Sequence, residues 1–109
     1  MKAIIGGTGV YSTGDNKREK IVETKYGQVK LDIVNIDGED IVFLARHGHS
    51  HSVPPHLINY RANMMALKEI GVDYIFATAA VGSCNKNYEP GDVVIIDDFI
   101  DFTKSRPIT

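Results

Sequence analysis

The sequence predicts an α/β domain built on a mixed β-sheet with flanking helices. Three observations carry that expectation. Short apolar runs early in the chain are joined by the tight-turn dipeptides Tyr26-Gly27 and Asp37-Gly38, the mark of antiparallel strand pairs. The run Ile41–Ala45 is followed by a helical pattern and then by a second strand-like run, Val72–Ala80, an order that favours a right-handed parallel crossover. A further apolar run, Lys2–Ile5, leads at once into Gly6-Gly7-Thr8-Gly9.

Taken in order, the glycines after Lys2–Ile5 give a permissive backbone that lets N–H groups approach a phosphate, and Thr8 adds a hydroxyl. No Gly-Lys-Ser/Thr follows, so this is not a P-loop. Ser12 stands where a dinucleotide fingerprint needs a small third residue, and Thr13-Gly14-Asp15-Asn16 is loop-like where a helix should begin. The plain alternative is a Gly-rich turn with no ligand. Ile21–Lys25 and Gln28–Ile36 read as strands, with Val29, Leu31, Ile33 and Asn35 alternating with Lys30, Asp32 and Val34. A helix is predicted from about Leu57 to Ile70, with Pro55 at its start and Gly71 as its stop. Leu57, Tyr60, Met64, Leu67 and Ile70 are the face expected to meet the sheet. Val72–Ala80 ends in small residues, which suit either a ligand crevice or close helix packing. After the turn Glu89-Pro90-Gly91-Asp92, Val93–Ile100 has the pattern of a buried strand. Asp97 and Asp98 near its end read as rim residues rather than metal ligands.

The stretch Val42–Ser52, VFLARHGHSHS, concentrates the chemistry. An apolar strand delivers Arg46, His47 and Gly48 to its end, where a ligand can reach them. Arg46 offers a fork of donors matched to phosphate or carboxylate, and the charge of His47 is switchable near neutral pH. The pattern fits an anion site, or a polar strand end paired with nearby carboxylates. His47, His49 and His51 alternate, so an extended segment would put all three on one face, as in a zinc site. The Asp-His that follows such a motif in many zinc hydrolases is absent, and no metal site is expected.

A chain of 109 residues suffices for one domain with a modest core. A net charge of −2, with no basic run, argues against nucleic acid or a membrane surface as a partner. No segment reads as a signal peptide or a membrane span. Cys84 is the single cysteine, which fits a reducing cytoplasm, and it reads as a partly buried thiol rather than a nucleophile.

The run LARHGHSHSVPPHLINYRANMMALKEIGV, then ATAAVGS and PGDVVIIDDFIDFTKSRP, with IIGGTG at the start, resembles the 5′-methylthioadenosine phosphorylases of the purine nucleoside phosphorylase superfamily. The resemblance extends over essentially the whole chain. It implies an α/β/α fold, trimeric assembly, and no cofactor. It also implies phosphorolysis of 5′-methylthioadenosine or a related purine nucleoside to the free base and 5-methylthioribose 1-phosphate. Inorganic phosphate and the nucleoside are the implied ligands. The resemblance assigns phosphate contacts to Thr8, Arg46 and His47, and the wall near sugar and base to Ala79 and Ala80. Many relatives carry a hydroxyl residue at the place of Ala79, so one ligand hydrogen bond is expected to be missing. His51 is a weaker candidate.

Family members continue well past FTKSRP, and their base-recognising aspartate lies in that later part. No base-protonating acid is identifiable here. Residues 1–109 are therefore expected to be the N-terminal part of a single nucleoside phosphorylase domain, an incomplete α/β/α unit inactive alone and completed by a C-terminal portion or by oligomerisation. The competing expectation is a noncatalytic phosphate-binding or assembly fragment of such an enzyme.

Overall fold

The computed structural model describes residues 1–7 and 16–106. Five strands form one mixed sheet: β1 (Lys2–Gly6), β2 (Arg18–Thr24), β3 (Gly27–Ile36), β4 (Glu39–Ala45) and β5 (Tyr74–Ala77). A 3₁₀ turn (Pro55–Leu57) and one helix, α1 (Tyr60–Glu69), lie between β4 and β5. The strand order is β2-β3-β4-β1-β5. β2, β3 and β4 pair antiparallel, while β1 lies parallel to both β4 and β5. The expected mixed sheet is present, with antiparallel hairpins on one side and parallel strands on the other.

The hairpin turn follows from its residues. Asp37 and Gly38 both take positive φ, 51° and 85°, the geometry that matches a two-residue turn to strand twist. The Asn35 side chain accepts from the Gly38 N–H at 3.2 Å and closes it. The register of β5 against β1 is set where the Asp73 N–H donates to the Met1 carbonyl at 2.8 Å.

The core lies between one sheet face and α1, and comprises Ala3, Val22, Val29, Leu31, Val42, Leu44, Ala62, Ala66 and Leu67. The helix begins later than expected. Pro55 starts a separate 3₁₀ turn, Ile58 is extended, and Asn59 caps α1 by accepting from the Ala62 N–H at 3.1 Å. The Asn59 amide also donates to the Tyr26 carbonyl at 2.7 Å, tying the helix start to the β2–β3 turn. The buried stripe is turned toward Ala62 and Ala66, whose small side chains let the helix come close to the sheet. Leu67 is buried and Ile70 packs against the core as expected, but Leu57, Tyr60 and Met64 are exposed. Gly71, at φ 84°, ends α1: its N–H donates to the Lys68 carbonyl at 3.1 Å, and the Val72 N–H to that of Leu67 at 3.0 Å.

Two further expectations are corrected. The strand expected over Val72–Ala80 is four residues long, and Tyr74, Ile75 and Phe76 in it are exposed. The segment Val93–Ile100 forms no strand, and Ile95 is 93% exposed. A strand pattern becomes a strand only where a neighbour takes its backbone hydrogen bonds and a layer covers its side chains. Among the described residues neither is supplied. Cys84, expected to be partly buried, is exposed in this same region. Among the described residues no helix is long and apolar enough to cross a membrane.

Candidate functional site

The parallel strands β4, β1 and β5 end side by side, with Gly6 opposite Ala45 and Ile5 opposite Ala77. The bonding continues one step beyond the strands. The Arg46 N–H donates to the Gly6 carbonyl and the Thr78 N–H to the Ile5 carbonyl, both at 3.0 Å. Gly7, Arg46 and Thr78 therefore stand in a row at the carboxyl ends of three adjoining strands, where open α/β sheets bind ligands.

Gly7 is fitted to its neighbours. A Cβ there would overlap Nη2 of Arg46, lie 3.3 Å from its Cζ, and lie 3.1 Å from the Thr78 carbonyl oxygen. The guanidinium thus rests on the backbone of the glycine segment. The missing side chain is required for close approach rather than for an unusual φ.

The loop after β4 is held by its own backbone. The Gly48 N–H donates to the Ala45 carbonyl at 3.0 Å with φ 77°, and the Val53 N–H returns to the His47 carbonyl at 2.9 Å. Nδ1 of His47 lies 3.0 Å from the Val53 carbonyl oxygen. That oxygen can only accept, so Nδ1 carries a proton. A neutral His47 then offers Nε2 as an acceptor, and donates from Nε2 only as the imidazolium.

The three alternating histidines do not share a face. His51 takes φ 53°, so the loop is not extended. The rings of His47 and His51 sit 4.9 Å apart at 51° and line an open concavity with Ser52, Val53, Pro54 and Pro55. His49 turns away, its Nε2 lying 3.1 Å from Oδ2 of Asp32. Among the described residues no group of three or more His, Cys, Asp and Glu is placed to hold a metal ion.

Of the residues expected at the site, Arg46 and His47 stand at the β4 tip. Ala79 and Ala80 follow Thr78 beyond β5 and are exposed. Thr8 lies outside the described residues. Sequence reasoning missed the Asp32–His49 contact and the Val53 carbonyl partner of His47. An aspartate set between Leu31 and Ile33 in mid-strand was the available clue to the first.

The same arrangement of strands occurs in solved structures. The chain is similar to methylthioadenosine phosphorylase from Schistosoma mansoni in complex with adenine, with TM-score 0.75 and 38% identity, over 84% of this chain and 34% of that one. By its fold this is a nucleoside phosphorylase-type α/β chain. Residues 2–109 match the Phosphorylase superfamily, and the chain belongs to that superfamily. It is 57% identical to the 6-oxopurine nucleoside phosphorylase of Pyrococcus furiosus over 98% of this chain and 41% of that protein. It is 49% identical to the S-methyl-5′-thioadenosine phosphorylase of Hyperthermus butylicus over 98% of this chain and 40% of that protein. The chain thus spans about two fifths of the length of the curated relatives it matches.

Proposed function

We propose that residues 1–109 form the N-terminal part of a single nucleoside phosphorylase domain and supply the phosphate-binding half of its site. The observation that carries this reading is the Arg46 guanidinium lying against Gly7 at the ends of two adjoining parallel strands. A guanidinium fork and backbone N–H groups beside it suit an oxyanion.

The reaction is phosphorolysis of a purine nucleoside at the glycosidic bond. Phosphate attacks C1′ of the sugar as the bond to the base breaks, through an oxocarbenium-like state. Catalysis is then mainly positioning and charge placement. Arg46 holds two phosphate oxygens, and Thr8 and the glycine backbone donate to the others. His47 accepts from a phosphate hydroxyl while neutral, or donates to an oxygen when protonated. Ala79 and Ala80 line the sugar and base side. The base-protonating group comes from the portion beyond this chain, and assembly follows the trimeric pattern. Identities of 57% and 60% to 6-oxopurine enzymes, against 49% to methylthioadenosine enzymes, favour a 6-oxopurine nucleoside over methylthioadenosine.

Phosphate-dependent release of base from inosine and from methylthioadenosine tests this, on the chain alone and with a polypeptide matching the rest of a relative. The expected result is no turnover alone and turnover in the mixture. Phosphate binding without turnover in any mixture would favour a noncatalytic phosphate-binding fragment instead.

A further inference from the structure

Asp32 lies in the middle of β3 and is 4% exposed. It stands opposite Phe43 of β4, so its side chain is on the sheet face away from the core residues Leu31 and Val42. A carboxylate is rarely buried unless cations or donors meet it. Among the described residues two do, on the same oxygen: Lys17 Nζ and His49 Nε2 are each 3.1 Å from Oδ2. Lys17 stands one residue ahead of β2, on the chain that follows the glycine segment. His49 lies three residues beyond Arg46 in the loop that carries His47. One buried carboxylate therefore holds a point on the loop that carries Arg46 and His47 and a point just ahead of β2.

We infer that Asp32 is a positioning residue of the phosphate site, acting through His49 and Lys17 to tie the loop after β4 and the entry to β2 to the sheet, so that the loop holds Arg46 and His47 in place. The inference rests on the phosphate-binding reading above. Asp32 itself does not touch the anion. A carboxylate would repel phosphate at close range, and its place on the sheet face serves anchoring instead. His49 points to Asp32 and leaves His47 and His51 to line the concavity. The physical basis is that grip depends on geometry: a guanidinium and an imidazole that must be reordered on binding lose affinity to that ordering.

Calorimetric titration with inorganic phosphate tests it in a set of variants. Asp32→Asn keeps the shape and removes the charge, and is expected to weaken phosphate binding about tenfold. His49→Gln should weaken it by a smaller factor. Val29→Ala thins the core on the other face of the same strand and should lower the melting temperature while leaving phosphate affinity unchanged. The two loop effects should not add: Asp32→Asn with His49→Gln should bind no more weakly than Asp32→Asn alone. Should Asp32→Asn fail to fold, the singles His49→Gln and Lys17→Met carry the test, each expected to weaken binding. Unchanged affinity in Asp32→Asn, or in both singles, overturns the inference while a loss in Arg46→Ala leaves the phosphate site standing. Additive losses overturn it as well, since they would mean that His49 touches the anion directly. No binding by the parent chain overturns both.

Discussion

Two regions of this chain meet opposite fates with similar raw material. In the region from Lys2 to Ala77 the sheet and α1 almost wholly enclose Leu31, Val42 and Leu67, while Leu57, Tyr74 and Phe76 lie outside that layer and are exposed. From Thr78 to Arg106 the sequence is as apolar in places, yet Val93, Ile95 and Phe102 stand open to solvent. Composition does not separate them; neighbours do. In the first region the strands and α1 supply those neighbours to one another. Past Thr78, which donates to the Ile5 carbonyl, the second carries local turns, such as the Asp92 carboxylate accepting from the Glu89 N–H at 2.8 Å, and a return contact at its far end. In that contact Arg106 donates to the Pro55 carbonyl at 3.1 Å and lies over the Tyr60 ring at 4.9 Å. A strand-like segment without a strand beside it is an unfilled request for a surface. The curated relatives extend over about three fifths of their length that this chain does not match.

The largest contrast should appear in stability. Leu31→Ala, at a position with 0% exposure, is expected to lower unfolding free energy by about 2–5 kcal/mol. Ile95→Ala should change it by less than about 0.5 kcal/mol. Chemical denaturation of both variants checks this. A comparable loss at Ile95 would show that the second region is packed after all.

Next comes the anion. Arg46→Ala should weaken phosphate binding by about 2 kcal/mol, on the scale of a charge-assisted hydrogen bond. Lys104→Ala, in the open region, should leave it unchanged by calorimetry. Equal losses would mean diffuse charge attraction rather than a site at the strand tips. Gly7→Ala sharpens the point, because its methyl group would displace the guanidinium: phosphate binding should fall while the helix and sheet remain by circular dichroism.

A smaller difference is expected at two asparagines. Asn59→Ala removes the cap of α1 and its tie to Tyr26, and should lower stability by about 1 kcal/mol. Asn85→Ala removes only a local bond to the Asn87 N–H and should leave the thermal midpoint where it is.

The smallest effect concerns acid. The Asn35 amide, with Arg18 beside it, holds the Asp40 carboxyl below its ordinary value. The Thr103 hydroxyl and N–H do the same for Asp101. A lowered carboxyl contributes stability that is present above its unfolded value and is lost as pH falls through the folded one. Asp40 joins β3 and β4, so Asp40→Asn should slightly flatten the acid limb of stability against pH. The partner of Asp101 is two residues away and remains close in an unfolded chain, so Asp101→Asn should not.

How much was legible in the sequence follows the same division. Strand pairing was readable because Asp37-Gly38 dictates its own turn and β3 shows its alternation at Val29 and Leu31. The placing of Arg46 and His47 together at a strand tip was readable because ARHG directly follows an apolar run. The orientation of α1 was not, since large side chains at Tyr60 and Met64 outweigh Ala62 and Ala66 in any reading of periodicity, although the alanines are what permit close packing. The bend that separates His49 from His47 and His51 depends on positive φ at Gly48 and His51, which alternation alone conceals. Val93–Ile100 departs for another reason: its pattern describes a strand, but among the described residues no strand pairs with it and no layer covers its side chains.

The central claim is that the tips of β1, β4 and β5 converge on one anion. Titration of the isotope-labelled chain with inorganic phosphate, followed amide by amide, tests it most directly. The account predicts saturable shifts grouped at Gly6, Gly7, Arg46 to Gly48 and Thr78, and their loss in Arg46→Ala. Shifts confined to the open region beyond Ala80, or none at any residue of the three tips, would contradict it.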